Sequence, residues 1–344
     1  MKLAVVLFNL GGPDSLDAVE PFLRNLFEDP AILALPRFLR VPLAWFIASR
    51  RAPFAREIYK KIDGSSPILR ETKAQAAALD KVLAARGIAA RSFIAMRCWK
   101  PFSDEAAEAI KSWGADAIVL LPLYPQFSTT TTGSALADWE RAARKASLSA
   151  STSTVCCYAQ ADGFIAAEAE LIHQSLTRAK AGVDYRLLLS AHGLPKRIIA
   201  RGDPYQWQVE RTAAALVDRL GIKNLDWRIC YQSRVGPLEW IEPATDSEVR
   251  RAGAEGKGVI VAPIAFVSEH SETLVELDMD YAELARASGV PDYLRVPAVG
   301  VQPLFIAALA ELVSTAREGV ASNTGARFCT GNYAQCACSG AKAE

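Results

Sequence analysis

Two of the chain's three histidines stand beside groups that do chemistry. His192 lies in Ser190-Ala191-His192-Gly193-Leu194-Pro195, directly after the apolar run Arg186–Ser190. An imidazole there can take up a proton near neutral pH or bind a metal. The glycine beside it lets backbone or ligand come close. Position alone serves equally well a histidine that caps the next helix. The second place follows Gly258–Ala262, where Glu269, His270 and Glu272 crowd one strand end. Glu276 and Asp280 come at i+4 and i+8 from Glu272. On a helix these three acids stack on one face, at a cost of about 0.2–0.5 kcal/mol per exposed like-charged pair. A bound cation removes that cost, and oxygen ligands with imidazole suit a divalent metal such as iron. The plain reading is a solvated acidic face, and it loses ground because Glu269, His270 and Glu272 share a strand end.

The seven cysteines are unevenly spread. Cys329, Cys336 and Cys338 crowd the last sixteen residues, and Cys156 and Cys157 are adjacent. Four thiolates are the usual need of a [2Fe–2S] cluster, and zinc takes four as well. Idle thiols on a flexible tail are the plain alternative. No export signal precedes Leu3, so structural disulfides are not expected.

The first half offers Met96-Arg97-Cys98-Trp99 and the run Leu121–Gly133, each after a strand. Arg97 suits a carboxylate. Tyr124 and Phe127 suit a ring face, and Ser128–Thr132 adds hydroxyls. Together they fit a large, flat, anionic ligand; by themselves they fit ordinary loop packing better.

These residues need strands to place them. Leu3–Asn9, Ala90–Met96, Ala117–Leu121, Arg186–Ser190, Leu225–Cys230, Gly258–Ala262 and Leu294–Val299 read as strands. Between them lie helical stretches such as Gln206–Leu220 and Glu272–Ala287. The alternation predicts an α/β chain of two similar doubly wound domains with parallel sheets. Ligands then bind beyond the carboxyl ends of the strands. The Ser- and Thr-rich run Ser147–Thr154 predicts a loop near the boundary. The expected division is 1–155, 156–317 and a Cys-rich tail 318–344, whose Ala, Gly, Ser and Asn content reads as flexible.

Several classes are excluded. A net charge of +1 and no basic, aromatic-interleaved stripe argue against nucleic acid. No G-x-G-x-x-G or phosphate loop follows any strand. Ala31–Ala48 is broken by Pro36, Arg37, Arg40 and Pro42, so it is no clean spanning helix. A cytoplasmic protein is expected. Leu26–Phe54 interleaves Phe38, Trp45 and Phe46 with Arg37, Arg40, Arg50 and Arg51. It reads either as a buried helical hairpin or as an apolar, basic-edged lip resting on a membrane surface.

The chain resembles the ferrochelatases over nearly its whole length. The markers are Phe8-Asn9-Leu10-Gly11-Gly12-Pro13, Gly64-Ser65-Ser66-Pro67-Ile68, Leu123-Tyr124-Pro125-Gln126, Ser190–Pro195, Arg201-Gly202-Asp203-Pro204-Tyr205, Gln232-Ser233-Arg234-Val235-Gly236-Pro237 and Pro263–Leu274. The resemblance implies two doubly wound domains with a porphyrin clamped in the cleft between them and the last helix packed back on the first domain. It implies ferrous iron insertion into protoporphyrin IX, the last step of haem synthesis. The catalytic histidine falls on His192 and its partner carboxylate on Glu272. The acidic column, Glu276 and Asp280, falls on a helix that opens with a wide turn, and metal contact is shared by His192, Glu272, Glu276 and Asp280. Porphyrin contacts fall on Leu10, Ile68, Arg97, Tyr124, Ser128, Trp240 and Phe266. Some members carry a [2Fe–2S] cluster at this end of the chain, which implies Cys329, Cys336 and Cys338 with either Cys156 or Cys157. Partners are then porphyrin and ferrous iron, with peripheral contact to the inner membrane and a homodimer as further expectations.

Departures are Cys98 for a frequent tyrosine, Glu269 for aspartate and Asp280 for glutamate. Two roles stay open for His192 with Glu272: acceptor of pyrrole protons, or final metal ligands. The rivals are a non-catalytic tetrapyrrole binder or iron–sulfur sensor on the same scaffold, and a chelatase for another divalent metal.

Overall fold

Every residue of Leu3–Asn9 is buried, as a central parallel strand covered on both faces requires. The computed structural model describes residues 1–316 and 328–340. The Ala- and Gly-rich stretch 317–327 and residues 341–344 lie outside the described residues. Two compact units hold the described chain. Unit 1 takes 1–157, 309–316, 328 and 336–340, and unit 2 takes 158–308 and 329–335.

Unit 1 contains a parallel sheet of β1 (Leu3–Asn9), β2 (Ala90–Met96), β3 (Ala117–Pro122) and β4 (Ser151–Thr154), in the order β2-β1-β3-β4. Unit 2 contains β5 (Tyr185–His192), β6 (Trp227–Gln232), β7 (Gly258–Pro263) and β8 (Tyr293–Arg295), in the order β6-β5-β7-β8. The two orders are the same, so each sheet reverses its winding at its middle pair of strands. In unit 1 that pair is β1 and β3, and in unit 2 it is β5 and β7. Such a switch point opens a crevice at the carboxyl ends of the two strands.

Two strand expectations change. Ser151–Thr154 is an edge strand paired parallel to β3, not loop. Its threonines are β-branched, and pairing with β3 outweighs a composition that reads as loop. The expected strand Leu294–Val299 stops at Arg295. Pro297 has no N–H to give a ladder, which ends the pairing early.

The predicted lip forms one long helix, Arg37–Lys60, with Pro42 and Pro53 inside it. Ala44, Ala48 and Ala52 repeat every fourth residue and are buried. Ala48 and Ala52 pack in a cluster with Val19, Phe22 and Leu23. The bulky side chains point the other way: Phe38 is 74 %, Trp45 51 %, Phe46 58 % and Phe54 68 % exposed. Small residues thus make the packed face and large apolar residues the open one.

Close packing in unit 2 gives a simple check. A Cβ on Gly253 would stand 2.0 Å from the backbone oxygen of Ser288, which cannot swing aside like a side-chain tip. Gly253→Ala is expected to lower unfolding stability by about 1–3 kcal/mol, the usual cost of overpacking, read from a urea midpoint. An unchanged midpoint would mean that the segment carrying Ser288 yields freely.

Candidate active site

His192 is the last residue of β5, and the Tyr205 hydroxyl donates to its carbonyl at 3.0 Å, fixing the strand end. From β7, across the switch point, the chain runs through Phe266, Glu269 and His270 into a π-helix, Glu272–Asp280. Its i→i+5 turn is wider than that of an α-helix, and such turns often sit at functional sites. The first residue of that turn meets β5: His192 Nδ1 and Glu272 Oε2 are 2.8 Å apart. His270 Nε2 stands 3.8 Å from the same oxygen. Phe266 lies edge-on to the His192 ring at 6.4 Å and 4.7 Å from the His270 ring.

Burial opposes a charge on His192, but the Glu272 carboxylate beside it outweighs burial and holds the imidazole above its ordinary value; Glu276 adds to the effect. Burial likewise opposes a charge on Glu272, yet His192 and His270 hold its carboxyl well below the usual range. The His192 side chain is still 37 % exposed, so the pair is open to a ligand on one side. With Nδ1 engaged, Nε2 is the nitrogen left to work on a ligand.

Gln232, the last residue of β6, clamps the π-helix. Its Oε1 accepts from Ser190, and its Nε2 donates to the Glu272 carbonyl at 3.0 Å and to Glu276 Oε2 at 3.1 Å. Ser233, in the left-handed region at φ 62°, turns both its N–H and its hydroxyl toward Glu276. Glu276 Oε1 accepts from the Ser233 N–H and the Tyr281 hydroxyl, and Oε2 from Gln232 and the Ser233 hydroxyl. Two oxygens offer about four lone-pair sites, so four donors fill them. Asp280, at the other end of the π-helix, is exposed. Of the four expected metal-contact residues, the structure brings His192 and Glu272 together. It locks Glu276 into a hydrogen-bond shell and leaves Asp280 at the surface.

Trp240 bridges to Pro195 just beyond His192, and its indole Nε1 is buried without a partner. In unit 1, Leu10, Arg97, Tyr124 and Ser128 follow the carboxyl ends of β1, β2 and β3, and Ile68 opens the next helix. The Tyr124 hydroxyl is buried without a partner. Arg97 is already engaged: its Nη2 pairs with Asp29 at 3.1 Å and its Nε donates to Ser134 at 2.7 Å, while Ser134 also binds Asp29. Sequence reasoning missed Asp29 and Ser134, which are too far from Arg97 in the chain to show a spacing. It also gave no role to Gln232 or Tyr281, although Gln232-Ser233 stood inside a quoted motif.

The sulfurs of Cys156, Cys336 and Cys338 lie within 4.8 Å of one another, all buried, with Cys156 and Cys336 at 3.8 Å. Crowding by Cys157 and Cys336 pushes the Cys156 thiol up. This is the one metal-sized group of His, Cys, Asp or Glu ligands among the described residues. Cys329 belongs to unit 2, where Gln208 Nε2 donates to its sulfur at 2.9 Å and Tyr333 stacks on Trp207.

A sequence profile described as Ferrochelatase matches residues 2–317. The chain belongs to the ferrochelatase family. The ferrochelatase of Phenylobacterium zucineum is 55% identical over 98% of this chain and 98% of its own length. That of Caulobacter vibrioides strain NA1000 is 51% identical over 98% and 97%. That of Pelagibacter ubique is 47% identical over 98% and 99%. Among solved structures, the sirohydrochlorin chelatase SirB from Bacillus subtilis subspecies spizizenii in complex with cobalt superposes with a TM-score of 0.54. That match has 14% identity and covers 92% of this chain and 96% of that one. At that identity it speaks for the chelatase-like α/β fold alone. The ferrochelatases are metal chelatases that insert ferrous iron into protoporphyrin in haem synthesis.

The geometry of the pair fixes the sign of one titration. Glu272→Gln removes the charge and the charged hydrogen bond that raise His192 most and leaves burial opposed by Glu276 alone, so the His192 titration midpoint is expected to fall. Ring-proton NMR shifts of His192 measured against pH check this. A midpoint that stays put would show that Glu272 does not set the basicity of His192.

Proposed function

We propose that the family's reaction, ferrous iron insertion into protoporphyrin, runs in this chain on His192 and Glu272. The observation that carries the reading is their 2.8 Å contact, between the end of β5 and the first turn of the π-helix. Two pyrrole N–H protons must leave the ring as iron enters. His192 Nε2 is the acceptor, because Nδ1 is held by Glu272 and that contact raises the basicity of the ring. A base poised near the working pH suits this task. Glu272 orients the imidazole and stabilises the imidazolium once formed. Glu276 supplies a fixed negative charge behind the pair, since its lone pairs are filled. Asp280, at the exposed end of the π-helix, is the exit for protons or the first contact for iron.

The proton-acceptor role is favoured over final metal ligation by the crowd around Glu276. A metal held by His192 and Glu272 would have to draw further ligands from groups engaged elsewhere. Leu10, Ile68, Arg97, Tyr124, Ser128, Trp240 and Phe266 are assigned to the porphyrin. Arg97, paired with Asp29, has Nη1 to offer a porphyrin carboxylate. Binding the ring bent exposes nitrogen lone pairs and favours the transition state over the flat ground state.

Three gathered thiols fit a metal centre. Thiols this close resist ionisation together, and a cation reverses that preference. Cys156, Cys336 and Cys338 would supply three of the four thiolates of a [2Fe–2S] cluster; the approach of Cys156 to Cys336 supports Cys156 over Cys157 as the remote ligand. Such a cluster supplies a one-electron redox centre and a cross-link of the tail when bound. On the long helix Arg37–Lys60, exposed Phe38, Trp45, Phe46 and Phe54 beside Arg37, Arg50 and Arg51 support peripheral contact with a membrane surface. No helix among the described residues is long and apolar enough to cross a membrane.

Two experiments test these roles. His192→Ala should cut the rate of iron insertion by about 10²–10⁴-fold, the range of a lost general base, while porphyrin binding by fluorescence quenching is kept. Retained turnover removes His192 from the centre of the reaction. After anaerobic purification, Cys156→Ser should lose visible absorption and bound iron, and Cys157→Ser should keep both. A colourless wild-type protein holding zinc would replace the cluster with a zinc site.

A further inference from the structure

The helix Asp162–Leu176 carries an acid inside the protein that the reaction described above does not use. Glu168 is 0 % exposed, and neither of its carboxyl oxygens has a hydrogen-bond partner. An ionised carboxylate stripped of water and of every donor is too costly to persist, so such a group takes a proton. Burial pushes Glu168 well above the usual carboxylate range, and the nearby charge of Glu269 pushes it the same way. A protonated carboxyl has one O–H to donate.

Glu269 has the matching acceptor. Its Oε1 accepts from Arg295 at 2.6 Å and from the Ala298 N–H at 2.9 Å. Its Oε2 is buried and has no partner. Burial opposes its charge, but Arg295, with Thr273 and Ala298, keeps Glu269 ionised. A lone donor and a lone acceptor are thus both buried; the helix of Glu168 packs on β7, the strand that leads to Glu269, and the charge of Glu269 reaches Glu168. With Glu168 ionised instead, both oxygens of Glu168 and Oε2 of Glu269 would be orphan acceptors beside two like charges.

Glu269 sits in a linkage that reaches the catalytic turn. It precedes His270 and is three residues before Glu272. Its partner Arg295 also grips Asp278 of the π-helix through two contacts, at 2.7 and 2.6 Å. We propose that Glu168 is a positioning residue for iron insertion: it is carried as the neutral acid and gives its O–H to Oε2 of Glu269 through one buried water, so fixing the loop that presents His270 and Glu272. A second negative charge there would compete for Arg295 and loosen its hold on both Glu269 and the π-helix. The role in catalysis rests on the reading above that this loop holds the catalytic pair; the proton on Glu168 does not.

The test has a spectroscopic arm and a kinetic arm, both on the full chain. Infrared difference spectra at neutral pH should show a protonated-carboxyl C=O band in the wild type that is missing in Glu168→Gln. In Glu269→Gln that band should shift, because the anionic acceptor is gone. In the kinetic arm, Glu168→Gln, which keeps a donor of the same shape, should insert iron within about twofold of wild type. Glu168→Leu should lose about tenfold in kcat with the KM for porphyrin unchanged. A spectrum in which Glu168→Gln removes no band overturns the assignment of the proton. A band indifferent to Glu269→Gln overturns the pairing, and this arm decides even if Glu168→Leu fails to fold. Wild-type kcat in a folded Glu168→Leu overturns the positioning role. Turnover that survives His192→Ala would sink the catalytic reading while leaving the infrared result standing.

Discussion

An imidazole at the end of β5 and a carboxylate in the first turn of the π-helix, held 2.8 Å apart, set the terms for the rest of unit 2. Neither group would hold its charge there alone. Burial works against an imidazolium on His192 and against a carboxylate on Glu272, and each is offset by the other. The pair must be delivered at short range from both sides, which a fixed strand end and a wide first helical turn accomplish. Parallel β5 and β7 bring the two chain segments to the same edge of the sheet, where the winding reverses and space opens. The scaffold is generic. The clamp made by Gln232, Ser233 and Tyr205 is what makes the edge specific.

That clamp explains why the acidic column does not behave as one unit. Helical spacing puts Glu272, Glu276 and Asp280 on one face and invites a single role for the three. The structure gives them three environments: a histidine partner, a closed shell of donors, and exposure at the π-helix end. The shell around Glu276 comes from β6 and from Tyr281, neither of which can be read from the column's own spacing. A charge whose lone pairs are all taken can still bias a neighbour electrostatically. Glu276 does this to His192 without needing to move.

Legibility in the sequence followed the range of the interaction. Alternating apolar runs and helical stretches carried the two parallel sheets, because a strand buried on both faces is written in consecutive residues such as Val5, Val6 and Leu7. The placement of His192 and of the Glu269–Glu272 cluster at strand ends was readable for the same reason. Ser151–Thr154 was not, since an edge strand is made by its neighbour's free backbone groups more than by its own side chains. Buried Asp29 and Ser134 form a triad with half-buried Arg97 from three distant segments, and no periodicity announces it. Glu168 was invisible in another way. On a helix with Glu170 two residues on, it looks like one more surface acid, and only the packing shows that it faces inward.

The same logic separates the two candidate metal chemistries in the chain. At the proposed iron-insertion site the charged groups are already balanced by protein partners: Glu272 by two histidines, Glu276 by four donors, Glu269 by Arg295. A site so balanced can pass a cation and a proton through without holding either tightly, which suits a substrate that must leave as product. The cysteine group is the opposite. Cys156, Cys336 and Cys338 bring three sulfurs together, and the Cys156 and Cys338 thiols are pushed up by their thiol neighbours. The balance in that crowd runs against thiolates until a cation arrives, and once it does every sulfur gains at once. A resident ion belongs where the protein leaves the charge unbalanced, and a transient one where the protein has balanced it beforehand.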